Sequence, residues 1–361
     1  MRGKSESQET MLTLRTPAQC VPPAHPLRPI KELADDALKA LSRDFDAMYS
    51  KDGGRESVPP ERLLKSTLLM ALYSVRSERL FCEQLDYNFL FRWFLDMSAV
   101  ERSFDHSTFS KNRDRLLEHA IVQKFFVAVV EQARAAELLS DEHFTVDGTL
   151  IEALASQKSF RPKQKKDDHE PPDDKGNPSV DFHGEKRTND THASTTDPEA
   201  KLMRKGKGKE AKLCFMGHAL MENRHGLLVE MRVTEANGKA EREAALQMLD
   251  GTKPDKRVTL GADAGYDVKS FAAECRTRNV TPHIAPHRGG HSVLDARTTR
   301  HPGYEISQRV RKRVEEIFGW MKTVGNLRRS RYRGVARTEM AAVMTGTAYN
   351  LMRMSRLMAT A

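Results

Sequence analysis

HFTVDGTLIEA, residues 143–153, alternates apolar and polar positions and is rich in β-branched side chains. That period of two predicts a strand. Asp147 sits in its middle, where a carboxylate among β-branched neighbours is costly unless something pairs with its charge. Working downstream, KLCFMGHALME (212–222) and GLLVEMRVT (226–234) predict two more strands, joined by a hairpin turn over 223–226. The period then changes back and forth. A short amphipathic helix is predicted over 240–249, a strand over 257–262 ending at Asp263, a helix over 268–278 and a strand over 281–285. A strong helix over 306–323 and a last one over 338–358 follow. Three antiparallel strands followed by α/β alternation predict a mixed α/β sheet flanked by helices.

Upstream the pattern is helical. Ser57, Pro59 and Pro60 open a run in which Leu63, Leu64, Leu68, Ala71 and Leu72 recur at helix spacing. A second helix is predicted from Glu78, and a third in SFDHSTFSKNRDRLLEHA, with Lys111, Arg113 and Arg115 on its polar face. Such short helices fit either a helix-turn-helix DNA reader or an ordinary bundle with a solvated face. Residues 1–56 are expected to be partly irregular, with one helix near 29–50. The division predicted is therefore 1–56, a helical domain for DNA binding or assembly over 57–139, and a catalytic domain over 140–361. Within the last, 156–209 is so polar that a mobile insertion is expected.

The 361 residues carry 59 Lys and Arg against 50 Asp and Glu, a formal charge of +9. Thirteen of those cations and only four acids lie between Arg300 and Ala361, so the whole excess sits in this tail. A basic balance confined to one end points to a local polyanion surface. No apolar run reaches the length of a membrane span, and MRGKSESQET lacks the apolar region of a signal peptide. The four cysteines are scattered and form no CxxC pair. A cytoplasmic protein without a disulfide framework or a membrane partner is expected.

Three carboxylates can meet in this architecture: Asp147 in mid-strand, Asp263 at a strand's carboxyl end, and Glu315 on the 306–323 helix. Oxygen ligands of this kind suit Mg2+ or Mn2+, and two such ions can drive phosphodiester cleavage. Taken singly, each acid could equally be a salt-bridge or turn residue. The helix adds a second signal. At about 100° per residue, Gln308, Arg311, Glu315 and Lys322 fall within a stripe roughly 60° wide. Val310, Val314, Ile317 and Met321 form a separate apolar face. An acid flanked by cations could place metal beside phosphate, or could be helical ion pairing on a wet surface. Behind it, Arg328, Arg329, Arg331 and Arg333 interleave with Tyr332, a pattern suited to a nucleic-acid backbone. Trp320 lies off both the core face and the stripe, free to meet DNA or another subunit.

These residues carry a resemblance. The chain is similar to the bacterial insertion-sequence DDE transposases of the IS4/IS5 group. Their last catalytic helix bears Y-x2-R-x3-E-x6-K, and Arg311, Glu315 and Lys322 match it at the same spacing. Gln308 stands where the signature has Tyr, a departure that touches a phosphate or base contact and not the metal triad. VDGT around Asp147, GADAGYD around Asp263, VEEIFGWMK and RRSRYRG also resemble the group, as does the helical block from Ser57. The resemblance implies an RNase H-like core with Asp147, Asp263 and Glu315 as triad and metal ligands, holding Mg2+ or Mn2+, two ions in all. It implies strand cleavage at terminal inverted repeats, attack of the freed 3′-OH on target DNA, and a homodimer that pairs two ends. Phosphate contacts would fall to Arg311, Lys322, Gln308, Arg328, Arg329, Arg331 and Arg333. A nuclease that cleaves without joining, and a DNA-binding regulator whose acids are structural, remain alternatives at this stage.

Overall fold

The computed structural model describes residues 15–49, 57–163, 181–182, 185–204, 206, 208–252, 256–287, 289 and 292–360. The amino-terminal half of the fold is helical. Helix α1 (Leu27–Ala40) buries Leu27, Ile30, Ala34, Ala37 and Leu38. The single helix expected near 29–50 is two: the backbone turns at Leu41 (φ −94°, ψ 5°) and Ser42–Ala47 continues separately. Helix α2 (Pro60–Leu72) opens on Pro60, as the sequence implied, and buries Leu63, Leu64, Leu68 and Leu69. Each such leucine contributes about 1.5–3 kcal/mol on burial. Glu78–Tyr87 and Phe89–Phe94 are capped by the Ser77 and Asn88 side chains, which accept from Leu80 N and Phe91 N. After Ser107–Glu118 comes α3 (Ile121–Ala135), with Phe125, Val129 and Ala133 among its buried residues. Residues 27–48 share one core with α2 and α3, so they belong to the helical unit.

The sheet begins with β1 (His143–Glu152). It pairs antiparallel with β2 (Lys212–Glu222), which pairs antiparallel with β3 (Leu228–Glu235). On its other side β1 pairs parallel with β4 (Val258–Ala262), and β4 with β5 (Val280–Ile284). The order β5-β4-β1-β2-β3, with three antiparallel strands and two parallel additions, is the RNase H-like topology. The fold class is thus mixed α/β with an all-helical region before the core. Helix α4 (Ala240–Thr252) and the Lys269–Thr277 helix cover one face, where Phe144, Val146, Leu260 and Phe271 are buried.

The continuous helix expected over 306–323 is divided. Helix α5 (Pro302–Val310) gives way to a tighter 3-10 turn at Arg311–Arg313, and α6 (Val314–Thr323) resumes. The last helix, α7 (Val335–Met358), closes the other face together with α6. Its Asn350 side chain accepts from Leu228 N and donates to Leu228 O, both at 2.8 Å, in the manner of a neighbouring strand. Met340, Met344 and Met354 on α7 are packing residues.

The 156–209 stretch, expected to be mobile, is anchored where it is described. Phe160–Pro162 pairs with His192–Ser194, and Lys201–Met203 adds to β2. Ser159 and Ser194 share a buried hydroxyl hydrogen bond (2.7 Å), and buried Asp197 accepts from Gly334 N at 3.1 Å. Small polar residues satisfied by one another can be buried without large apolar side chains, which composition alone does not reveal. Residues 164–180 lie outside the described residues. Among the described residues, no helix is long and apolar enough to cross a membrane.

Candidate active site

Alternation along β1 puts Asp147 on the α6 side, with Thr149 and Ile151. Strand β4 pairs with β1 only over His143–Thr145, so past Thr145 the edge of β1 is open towards Asp263. Asp263 follows the last residue of β4 and caps a 3-10 turn, its Oδ1 accepting from Gly265 N at 2.8 Å. Two aspartates therefore stand where neighbouring parallel strands part, the usual ligand position of an α/β sheet.

Gly261 explains how the third acid arrives. A Cβ there would lie 3.3 Å from Arg311 Cβ and 3.2 Å from Thr145 Oγ1. A side chain there would press the 311–313 turn away from β4 by a few tenths of an ångström, and glycine spares it that. Glu315, exposed on the first turn of α6, then has its charge in reach of Asp147. Lys322, two turns on, donates from Nζ to Thr149 Oγ1, next to Asp147 on the same face of β1. Gln308 donates to His283 O on β5 (2.5 Å) and accepts from Arg311 Nε (2.9 Å). Its amide holds the guanidinium in place, so the departure from Tyr leaves a positioning residue.

A fourth carboxylate, unforeseen in the sequence, comes from the opposite face. A Cβ on Gly148 would lie 2.6 Å from Glu241 Oε1, so the glutamate on the first turn of α4 occupies the space that a side chain at 148 would fill. Glutamate in a first helical turn reads as ordinary helix-dipole complement. The one available signal was the bare position in a β-branched strand, which marks a close approach.

The electrostatics bind this group together. Burial pushes the Asp147 carboxyl up to about 7, and the charges of Asp263, Glu241 and Glu315 push the same way, against the Gly148 N–H that donates to Oδ1 at 2.7 Å. Glu241 is raised by burial and by Asp263. Tyr266 is raised well above the usual phenol range by burial, then by Glu241, Asp147 and Asp263. Among the described residues, no three His, Cys, Asp or Glu side chains already stand at ligand spacing. Asp147 thus feels the charge of all three other acids, and Glu241 that of Asp263.

The arginines behind α6 divide into two kinds. Arg329 donates to Ala153 O and Leu154 O, at 3.0 and 2.8 Å. Arg331 donates to Arg76 O at 2.9 Å, in the loop after α2, and Tyr332 lies under the Arg113 guanidinium. Arg113, read as part of a polar face, also pairs with Glu78. Arg115 lies over the Tyr49 ring. These guanidiniums join parts of the fold, a use that sequence spacing does not reveal. Arg309, Lys312, Arg328 and Arg333 are exposed. Trp320, expected to be free, packs edge-on against Tyr349 of α7. Loss of charged hydrogen bonds to carbonyls predicts that Arg331→Ala lowers stability by about 2 kcal/mol, while Arg333→Ala stays within about 0.5 kcal/mol of wild type. Urea unfolding checks this, and equal losses would refute the division.

A family described as "Transposase DDE domain" matches residues 139–351, and one described as "Transposase domain (DUF772)" matches 15–115. No curated protein matches. Similar solved structures include a piggyBac transposase synaptic complex with hairpin DNA. It is 9% identical, with a TM-score of 0.41, over 93% of this chain and 76% of that one. Another is a Mos1 transposase paired-end complex with the left transposon end, 11% identical with a TM-score of 0.21, over 80% of this chain and 87% of that one. The first family match contains both aspartates, Glu315, the 311–313 turn and all five strands of the RNase H-like sheet. The chain belongs to the transposase DDE domain family.

Proposed function

We propose that the protein is a DNA transposase in which Asp147, Asp263 and Glu315 hold divalent cations, Mg2+ or Mn2+, and that it cleaves the ends of an insertion sequence of the IS4/IS5 group and joins them to target DNA. The carrying observation is that Asp147 and Asp263 stand where β1 and β4 part, with the Glu315 charge in reach and Asp147 pushed up to about 7 by burial and by its acidic neighbours. The donor set suits a hard cation, since it offers carboxylate oxygens and no thiolate or imidazole. When bound, two such ions activate the attacking oxygen and stabilise the leaving one.

The chain's own groups do the rest. Lys322 beside Thr149, and Arg311 held by Gln308, neutralise and orient the scissile phosphate. Exposed Arg309, Lys312, Arg328 and Arg333 take up flanking phosphates, and with 13 Lys and Arg in the last 62 residues the binding depends steeply on salt. Two copies hold two ends.

The test uses the purified chain and a plasmid carrying the DNA that flanks its reading frame. Cleavage at the ends and joining to target are expected with Mg2+ or Mn2+, and neither with EDTA. Cleavage without joining of pre-cleaved ends would replace the reading by a nuclease. Binding that persists in EDTA, with no cleavage under any divalent ion, would replace it by a regulator.

A further inference from the structure

We propose that Glu241 is a fourth carboxylate of the catalytic centre, reaching from α4 to supply an additional oxygen ligand to a divalent cation held by Asp147 and Asp263. The inference rests on the reading just given and extends it to a residue outside the Asp147, Asp263 and Glu315 set.

Three observations converge on it. The first is the space it occupies. Along the α4 side of β1, Phe144 and Val146 are buried in the core, and at the next position, Gly148, the side chain is missing. The Glu241 carboxyl fills that gap, with Oε1 2.6 Å from where a Cβ would stand. The gap opens beside Asp147, at the edge of β1 that β4 has left.

The second is how the glutamate is held. Its neighbour Arg242 donates from Nη1 to Gly265 O at 3.0 Å and from Nη2 to Gly238 O at 3.1 Å. One guanidinium thus fastens the start of α4 to the turn that Asp263 caps. Glu241 itself makes no hydrogen bond or ion pair among the described residues, although it is partly buried. Burial and the nearby Asp263 charge both disfavour its ionised form, so this position is costly without a partner. A merely helix-capping acid would turn outward to water at no loss.

The third observation is independent of the acids. The Tyr266 hydroxyl is fully buried and has no hydrogen-bond partner among the described residues. It lies in the field of Glu241, Asp147 and Asp263. A phenol donor left unmade beside carboxylate acceptors marks a site whose polar groups are completed by a ligand: it can donate to a carboxylate oxygen or to a cation-bound water once the acids draw together.

The experiment titrates Mn2+ into the full chain by calorimetry, comparing wild type with Glu241→Gln, Gly148→Ala and Asp147→Asn, and follows end cleavage against Mg2+ concentration. Glu241→Gln is expected to weaken Mn2+ binding about 10-fold or more, or to remove one bound ion, and to raise the Mg2+ needed for half-maximal cleavage. Gly148→Ala keeps the carboxylate but displaces it, and shifts both quantities the same way by less. Melting in EDTA separates site from scaffold: Glu241→Gln should melt at or above wild type, because an unpaired charge is gone. A lower melting point with unchanged Mn2+ affinity and stoichiometry would make Glu241 structural and overturn the proposal. Failure of the underlying reading looks different, because Asp147→Asn would then also keep its Mn2+ binding and its cleavage.

Discussion

Asp147→Asn is expected to lower end cleavage by about 10^3-fold or more, near 4 kcal/mol at 1.36 kcal/mol per tenfold, and at the same time to stabilise the protein in EDTA at pH 8. The substitution is nearly isosteric, and an asparagine Oδ1 can still accept from Gly148 N, so the strand is not disturbed. What disappears is the negative charge that would hold a cation. The stability gain follows from the direction of the shift. An aspartate titrates near 3.9 in an unfolded chain, and burial with three acidic neighbours pushes Asp147 up to about 7. Between those values the native state binds one proton more than the unfolded state, so stability falls as pH rises through this window. Above pH 7 the full penalty applies, roughly 3–4 kcal/mol, and the asparagine removes it. Mg2+ should raise the wild-type melting temperature at pH 8 and leave that of the variant nearly unchanged. Cleavage at the wild-type rate by Asp147→Asn would end the assignment of this residue. The tension between stability and activity is what a charged site in a packed sheet should give.

Lys65→Ala should cost about 3 kcal/mol. The Lys65 side chain is 3% exposed, and Nζ bonds Asp35 Oδ1 at 2.8 Å and Asp96 Oδ2 at 2.5 Å. Lys31 joins the same two acids, contacting Asp96 at 2.8 Å, so two lysines and two aspartates tie α1, α2 and the turn after Phe89–Phe94. Although burial opposes it, hydrogen bonds from both lysines hold Asp96 below the usual carboxylate range. Alanine leaves one cation for two carboxylates and a void over Phe94, where Nζ lies 5.8 Å from the ring. Lys65→Met keeps the stem and loses the charge, so its smaller loss isolates the ionic part. Guanidinium unfolding reads both, and a Lys65→Ala loss below about 1 kcal/mol would show that the network is solvated.

Much of this was legible in the sequence because the signals were local. The alternation through 143–153 and 212–234, the helix spacing after Pro60 and the change of period after Thr234 each reflect one strand or helix burying one face, and the strand order follows from them. The helix bearing Arg311, Glu315 and Lys322 does not run straight, so their spacing could not be projected on one cylinder. The arrangement draws on a turn whose geometry depends on Gly261, more than fifty residues earlier, which no helical projection includes. Glu241 was missed for a related reason: its meaning depends on the vacancy at Gly148 across the sheet. The arginine cluster was read by density alone. Whether a guanidinium faces solvent or caps a carbonyl in another part of the fold is decided by tertiary contacts, as Arg331 and Arg76 show. Likewise the polar 185–204 stretch is held by small hydroxyl and carboxylate bonds that composition does not count.

Helix α7 has a consequence for how the chain is made. It packs against β3, α3 and α2, so a segment synthesised after all of them completes the helical core and one face of the sheet. A nascent chain halted before Val335 would present the apolar side of β3 and the flank of α3 to the cell with nothing to cover them. Its early helices can form as they emerge, but neither half can close until α7 has emerged as well. Products that end before α7 are therefore expected to be lost to aggregation or proteolysis, and those that contain it to accumulate.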